Sequence, residues 1–91
     1  MAYEQIKNAS DHSLGLNIAF YRKKLGITQD QLAARMQQRN FNIVREVVVK
    51  IENGRRCLSV PEIRALVEIL EIDFNAIFEY REEKTKSKKN N

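Results

Sequence analysis

Residues 44–60, VREVVVKIENGRRCLSV, constrain the fold more than any other stretch of this chain, and they allow two incompatible forms. A turn at Asn53-Gly54 would make a β-hairpin, since Asn-Gly is the strongest short hairpin signal. It would pair Glu52 with Arg55, Ile51 with Arg56 and Val49 with Leu58, giving a face of Val47, Val49, Ile51, Leu58 and Val60 that only Arg56 interrupts. The same letters also fit a helix. Val44, Val48 and Ile51 recur at i, i+4 and i+7 with Val47 beside them. Glu46 precedes Lys50 in the favourable i, i+4 order, Asn42 is placed to cap the start, and Gly54 stands where a left-handed C′ residue belongs.

The rest of the chain decides between them, because an isolated hairpin is marginal in water and needs a sheet to join. No other convincing strand is present, and the spacing of Gly15, Gly26, Gly54 and Pro61 suits helices. From Ser13 onward Leu14, Ile18, Tyr21 and Leu25 share one helical face. Arg22, Lys23 and Lys24 fall in its last turn, where cations suit the dipole, and Gly26 can end it. Thr28-Gln29-Asp30-Gln31 is a T-x-x-Q capping box, followed by Leu32, Ala33 and Met36. The linker QQRNFN, residues 37–42, is polar except for Phe41, which is expected to plug the core. Ser59-Val60-Pro61-Glu62 is a second capping box with proline in the first turn, followed by Ile63, Leu66, Val67 and Leu70. Asp73 is expected to cap a last short helix carrying Ala76, Ile77 and Phe78. These patterns predict an all-α fold with residues 44–52 helical.

Composition sets the outer limits. At 91 residues with 43% apolar content, one compact domain is expected, spanning residues 13–80. The segment before it, 1–12, is expected to be a flexible arm without the apolar core of a signal peptide. The segment REEKTKSKKNN after Tyr80 has no apolar residue, so 81–91 is expected to be a disordered basic tail. No run approaches the roughly 18 apolar residues of a membrane span. Sixteen Lys+Arg against 12 Asp+Glu give a net charge of +4, which permits a polyanionic partner without requiring one. One cysteine, Cys57, allows no intrachain disulfide and fits a reducing compartment. A cytoplasmic location is expected.

Catalysis finds little to work with. His12 is the only histidine and lies in the N-terminal arm, Cys57 has no nearby histidine, and no glycine-rich phosphate loop occurs. No cofactor, metal or small-molecule ligand is expected. Asp30, Glu46, Glu52, Glu62, Glu68 and Glu71 are spaced as solvated helix faces would be.

In order, LGITQDQLAARM, a turn, KIENGRR and a capped helix ending ILEIDFNAIF resemble the phage-repressor-like (Cro-type) helix-turn-helix family. The resemblance runs from about Leu14 to Phe78, and the pairing of G-I-T-Q-x-Q-L-A with I-E-N-G-R-R carries it. It implies a compact bundle of about five helices, with the third, about residues 43–52, lying in the major groove of double-stranded DNA. The chain departs from the simplest members in an extended turn, QQRNFNIV. It also has valine at 44, 47 and 49, where many members carry Ser, Thr or another polar residue.

The resemblance implies base reading by Arg45, Glu46 and Lys50, through guanine O6/N7 and cytosine N4. Val49 and Val47 are candidates for thymine methyl contacts, Val47 equally for the core. Gln29 matches a phosphate-contacting glutamine, or else only supports its cap. Asn53, Arg55 and Arg56 follow the third helix where the family meets the DNA backbone, Asn53 also being a natural turn residue. Arg22 is expected to be a surface cation reaching the backbone. The implied function is a sequence-specific transcriptional regulator, a repressor that blocks polymerase at its operator. The alternative is a protein-interaction module using the valine-bearing face. Phe74, Ile77, Phe78 and Tyr80 suggest a weak homodimer through the last helix.

Overall fold

The computed structural model describes residues 13–79, so the expected arm 1–12, Tyr80 and the expected tail 81–91 lie outside the described residues. The described residues form four α-helices and one 310 helix: α1 Ser13–Leu25, α2 Gln29–Gln38, α3 Arg45–Glu52, α4 Val60–Leu70 and the 310 helix Phe74–Phe78. Among them there is no strand, and the hairpin alternative at Asn53-Gly54 is not formed. The count differs from about five α-helices because the last element winds into a 310 turn, where Asp73 Oδ2 accepts from the Asn75 N–H at 3.1 Å.

Both capping boxes form as their spacing predicts. Thr28 Oγ1 accepts from the Gln31 N–H at 3.0 Å, while Gln31 Oε1 accepts from the Thr28 N–H at 2.8 Å. Ser59 and Glu62 repeat the arrangement at 3.3 and 2.9 Å, with Pro61 in the first turn of α4. Each box satisfies N–H groups that a helix start otherwise leaves without partners.

All four α-helix ends close by the Schellman pattern, α4 with Glu71 left-handed at φ 61° and Ile72 donating to Val67 O at 3.1 Å. After α3, Gly54 at φ +75° donates to Ile51 O at 3.1 Å and Arg55 donates to Lys50 O at 2.8 Å. After α1, Gly26 is left-handed and Ile27 donates to Arg22 O at 3.2 Å. After α2, Asn40 takes the left-handed conformation at φ 72°, and Phe41 donates back to Met36 O at 3.1 Å. Asparagine tolerates this conformation better than most residues with a side chain.

Two local expectations need correction. Helix α3 is capped at Val44 rather than Asn42, and Val44 makes no side-chain cap bond. Val44 therefore leaves the apolar stripe and stands 44% exposed. The extended turn is anchored by Ile43, which is buried to 1%, while Phe41 packs half-buried beside it. Gln37 Nε2 supports this turn by donating to Ile43 O at 2.8 Å.

The core draws on every helix: Leu14 and Ile18 from α1, Leu32 and Met36 from α2, Val48 and Ile51 from α3, Ile63 and Leu66 from α4, and Ile77 from the 310 turn. Burial of such side chains supplies most of the driving force for folding. Asn17, 2% exposed, ties the 310 turn to α1 by donating from Nδ2 to Ile77 O at 2.9 Å and Glu79 O at 2.7 Å.

Candidate nucleic-acid interface

Helix α3 has one locked side and one open side. Val48, Ile51 and Glu52 are buried, and Val47 packs against the core. Arg45, Glu46, Lys50 and Asn53 are exposed, with Val49 half-buried among them. At 100° per residue these outward positions span an arc of roughly 140°. Of the two valines considered for the outer surface, Val49 belongs to it and Val47 to the core side.

The locked side contains a polar network joining three helices. Arg22 Nε on α1 donates to Glu52 Oε2 at the end of α3 at 2.7 Å, and Arg22 Nη2 reaches Glu52 Oε1 at 3.2 Å. Arg22 Nη1 donates to Ile27 O at 2.9 Å in the α1–α2 turn. Gln29 Nε2, at the start of α2, donates to Glu52 Oε1 at 3.0 Å. This corrects two expectations: Arg22 is not a surface cation, being 8% exposed, and Glu52 is not solvated, being also 8% exposed. The cause is helical register. Arg22 follows Leu14 and Ile18 on the core face of α1, and Glu52 follows Val48 on that of α3. Buried charges persist when paired and hydrogen-bonded, as these are.

The network also fixes Gln29, whose side chain is held by Glu52 at the N-terminal end of α2, where backbone N–H groups and the helix dipole favour an anion. Gly15 brings α1 against the end of α3. A Cβ at Gly15 would lie 2.7 Å from Glu52 O and nearer still to Ile51 O, so only glycine permits this crossing.

The loop after α3 divides its two arginines. Arg55 is exposed and forms no side-chain hydrogen bond or ion pair among the described residues. Arg56 makes a fork to Glu62, with Nη1–Oε1 at 3.1 Å and Nη2–Oε2 at 3.0 Å, so the second capping box also carries an ion pair. The hydrogen bond to Glu62 raises the Arg56 pKa against the opposing effect of burial. Burial pushes the Glu62 carboxyl up, but hydrogen bonds from Arg56 and Ser59, with the Arg56 charge, bring it below the usual carboxylate range.

Sequence reasoning placed Arg45, Glu46, Val49, Lys50, Asn53 and Arg55 on what is an accessible surface, and the fold brings Gln29 to the edge of α3 through Glu52. It missed Glu52, Asn17 and Gly15, whose roles arise only from packing. Among the described residues no group of three or more His, Cys, Asp or Glu side chains could hold a metal ion, and no helix is long and apolar enough to cross a membrane.

Comparison with known proteins agrees with this geometry. A helix-turn-helix family model matches residues 18–77, which span α2, the extended turn and α3. No curated protein and no solved structure matches the chain. With α2 capped and α3 presented open side outward, the chain belongs to the phage-repressor-like (Cro-type) helix-turn-helix family of DNA-binding regulators.

Proposed function

We propose that the protein is a cytoplasmic, sequence-specific transcriptional repressor that inserts the open side of α3 into the major groove and blocks polymerase at its operator. The observation that carries this reading is the two-sidedness of α3. Its inner side is clamped by packing and by the Arg22–Glu52 pair, while Arg45, Glu46, Val49 and Lys50 face outward. Arg45 and Lys50 would donate to guanine, Glu46 would accept from cytosine, and Val49 would touch a thymine methyl. Gln29, Asn53, Arg55 and Arg56 would set the register against phosphate. Arg22, with its guanidinium engaged inside the fold, serves as the tie behind the interface rather than as a phosphate contact.

Phe74, 39% exposed, and Phe78 form an edge-to-face pair at 5.4 Å on the 310 turn, which supports a weak homodimer through this end. A dimer would pair two half-sites one helical turn apart. Selection of bound duplexes from a random pool, followed by salt titration on the selected and a scrambled duplex, tests the reading. A recovered consensus, with affinity falling steeply with salt on both duplexes, is expected. The exposed Val44 favours a second reading, a module that binds a protein through this end of α3. Absence of salt-dependent DNA binding would select it.

A further inference from the structure

Arg45 is the first residue of α3, and its Nε lies 4.0 Å from Asp30 Oδ1 in the first turn of α2. The two side chains are 55% and 76% exposed, and neither forms another side-chain hydrogen bond or ion pair among the described residues. An exposed pair at this separation adds little to stability. A carboxylate on this edge also repels phosphate, which is unfavourable for DNA binding in general. Geometry gives it a use. Asp30 approaches the guanidinium from its Nε side at ion-pair rather than hydrogen-bond distance, and the Nη edge offers the fork of parallel N–H groups that guanine O6 and N7 accept.

We propose that Asp30 is a positioning residue for base recognition, holding the Arg45 guanidinium by its Nε side so that the Nη edge faces guanine in the major groove. This rests on the base-reading role proposed for Arg45. Limiting the arginine's freedom before binding reduces the ordering that binding requires. The same carboxylate repels phosphate on every duplex alike, so its effect on selectivity comes from orienting Arg45.

The test uses the full chain with the selected duplex, the same duplex changed at the base pair read by Arg45, and a scrambled duplex. Asp30→Asn is expected to lower the preference for guanine at that base pair by about two- to fivefold, the range of one exposed ion pair. Affinity for the scrambled duplex should rise. Asp30→Glu should retain the preference, and Asp30→Asn in the Arg45→Ala background should not change it further. A purely structural role at the α2 start would lower affinity for all three duplexes by one factor, and that result overturns the proposal. If Arg45→Ala relaxes the base preference while Asp30→Asn preserves it, Asp30 alone loses its role. If Arg45→Ala leaves the preference intact, the base-reading role fails and the Asp30 proposal falls with it.

Discussion

The Arg22 guanidinium and the Glu52 carboxylate meet at 2.7 Å with their side chains 9% and 7% exposed, joining the last turn of α1 to the last residue of α3. Removing one partner would leave the other charged and buried. Arg22→Met is therefore expected to destabilise the protein by about 3–5 kcal/mol. The double variant Arg22→Met/Glu52→Leu should recover much of that loss, since a well-packed apolar pair avoids the desolvation penalty. Chemical denaturation of the three proteins measures both. A double variant no more stable than the single one would show that the pair's hydrogen bonds to Ile27 and Gln29, rather than charge burial, hold this junction.

Two glycines should fail for different reasons. At Gly15 a methyl group would collide with backbone of α3, which cannot swing aside as a side chain could. Gly15→Ala is expected to cost about 1–3 kcal/mol through overpacking, even though alanine favours the helix. At Gly26 nothing lies within 4 Å, but φ is +84°. Gly26→Ala should cost about 1–2 kcal/mol from the left-handed conformation alone, and Gly26→Asn less. Thermal melts of the three variants separate the causes: equal losses for Gly26→Ala and Gly26→Asn would rule out backbone strain as the reason.

Val44 is an N-cap without a cap. It has the extended backbone of such a residue, at φ −98° and ψ 175°, but no oxygen to accept an N–H from the first turn of α3. Val44→Ser should stabilise the protein by about 0.5–2 kcal/mol, with little apolar burial lost from so exposed a side chain. Chemical denaturation would show a higher midpoint with an unchanged slope. A lower midpoint would mean that Val44 packs usefully against the extended turn.

The Glu62 carboxyl lies below its ordinary range in the folded protein. Its contribution is complete above the unfolded value, about 4.3, and disappears as pH falls through the lowered folded value. Glu62→Gln keeps an acceptor for the Ser59 N–H but loses the charge facing Arg56. At this partly exposed pair, solvent screening limits the loss at pH 7 to about 1 kcal/mol. The gap between variant and parent melting temperatures should close as pH falls below the unfolded value and through the lowered folded one. A gap that persists there would assign the loss to the cap alone.

What the sequence made legible was local. The capping boxes at Thr28 and Ser59, the glycine stops at Gly26 and Gly54, and the repeat of Val48 and Ile51 each depend on neighbours within one or two turns. What stayed hidden depends on distant partners. Arg22 meets Glu52 30 residues away, and Asn17 meets Ile77 60 residues away. Charged and amide side chains at those positions look like solvated surface until the helices are packed. A signal was nonetheless present: Arg22 and Glu52 each continue an apolar stripe, and a charge in such a stripe calls for a buried partner. Gly15 had no comparable signal, since a helix interior gives no sign of which backbone will cross it. The outward residues of α3 were more readable, because the family resemblance assigns them together and the helical period keeps them on one side.

Arg55 and Arg56 stand side by side in the loop after α3, yet their losses should differ in kind. Arg55 is exposed and has no side-chain hydrogen bond or ion pair among the described residues, so its removal breaks none there. Arg55→Ala should leave the melting temperature unchanged, weaken binding to selected and scrambled duplexes alike, and reduce the salt slope by about one unit. Arg56 is forked onto Glu62 and also donates to Cys57 O at 3.1 Å. Arg56→Ala should lower the melting temperature by loosening the start of α4. Its effect on the salt slope should be smaller, because the Glu62 carboxylate already neutralises much of its charge. Binding measured over a series of salt concentrations, paired with melting curves, separates the two. A full unit lost from the slope in Arg56→Ala with no thermal change would show that Arg56 leaves Glu62 for a phosphate contact as full as that of Arg55 when DNA is bound.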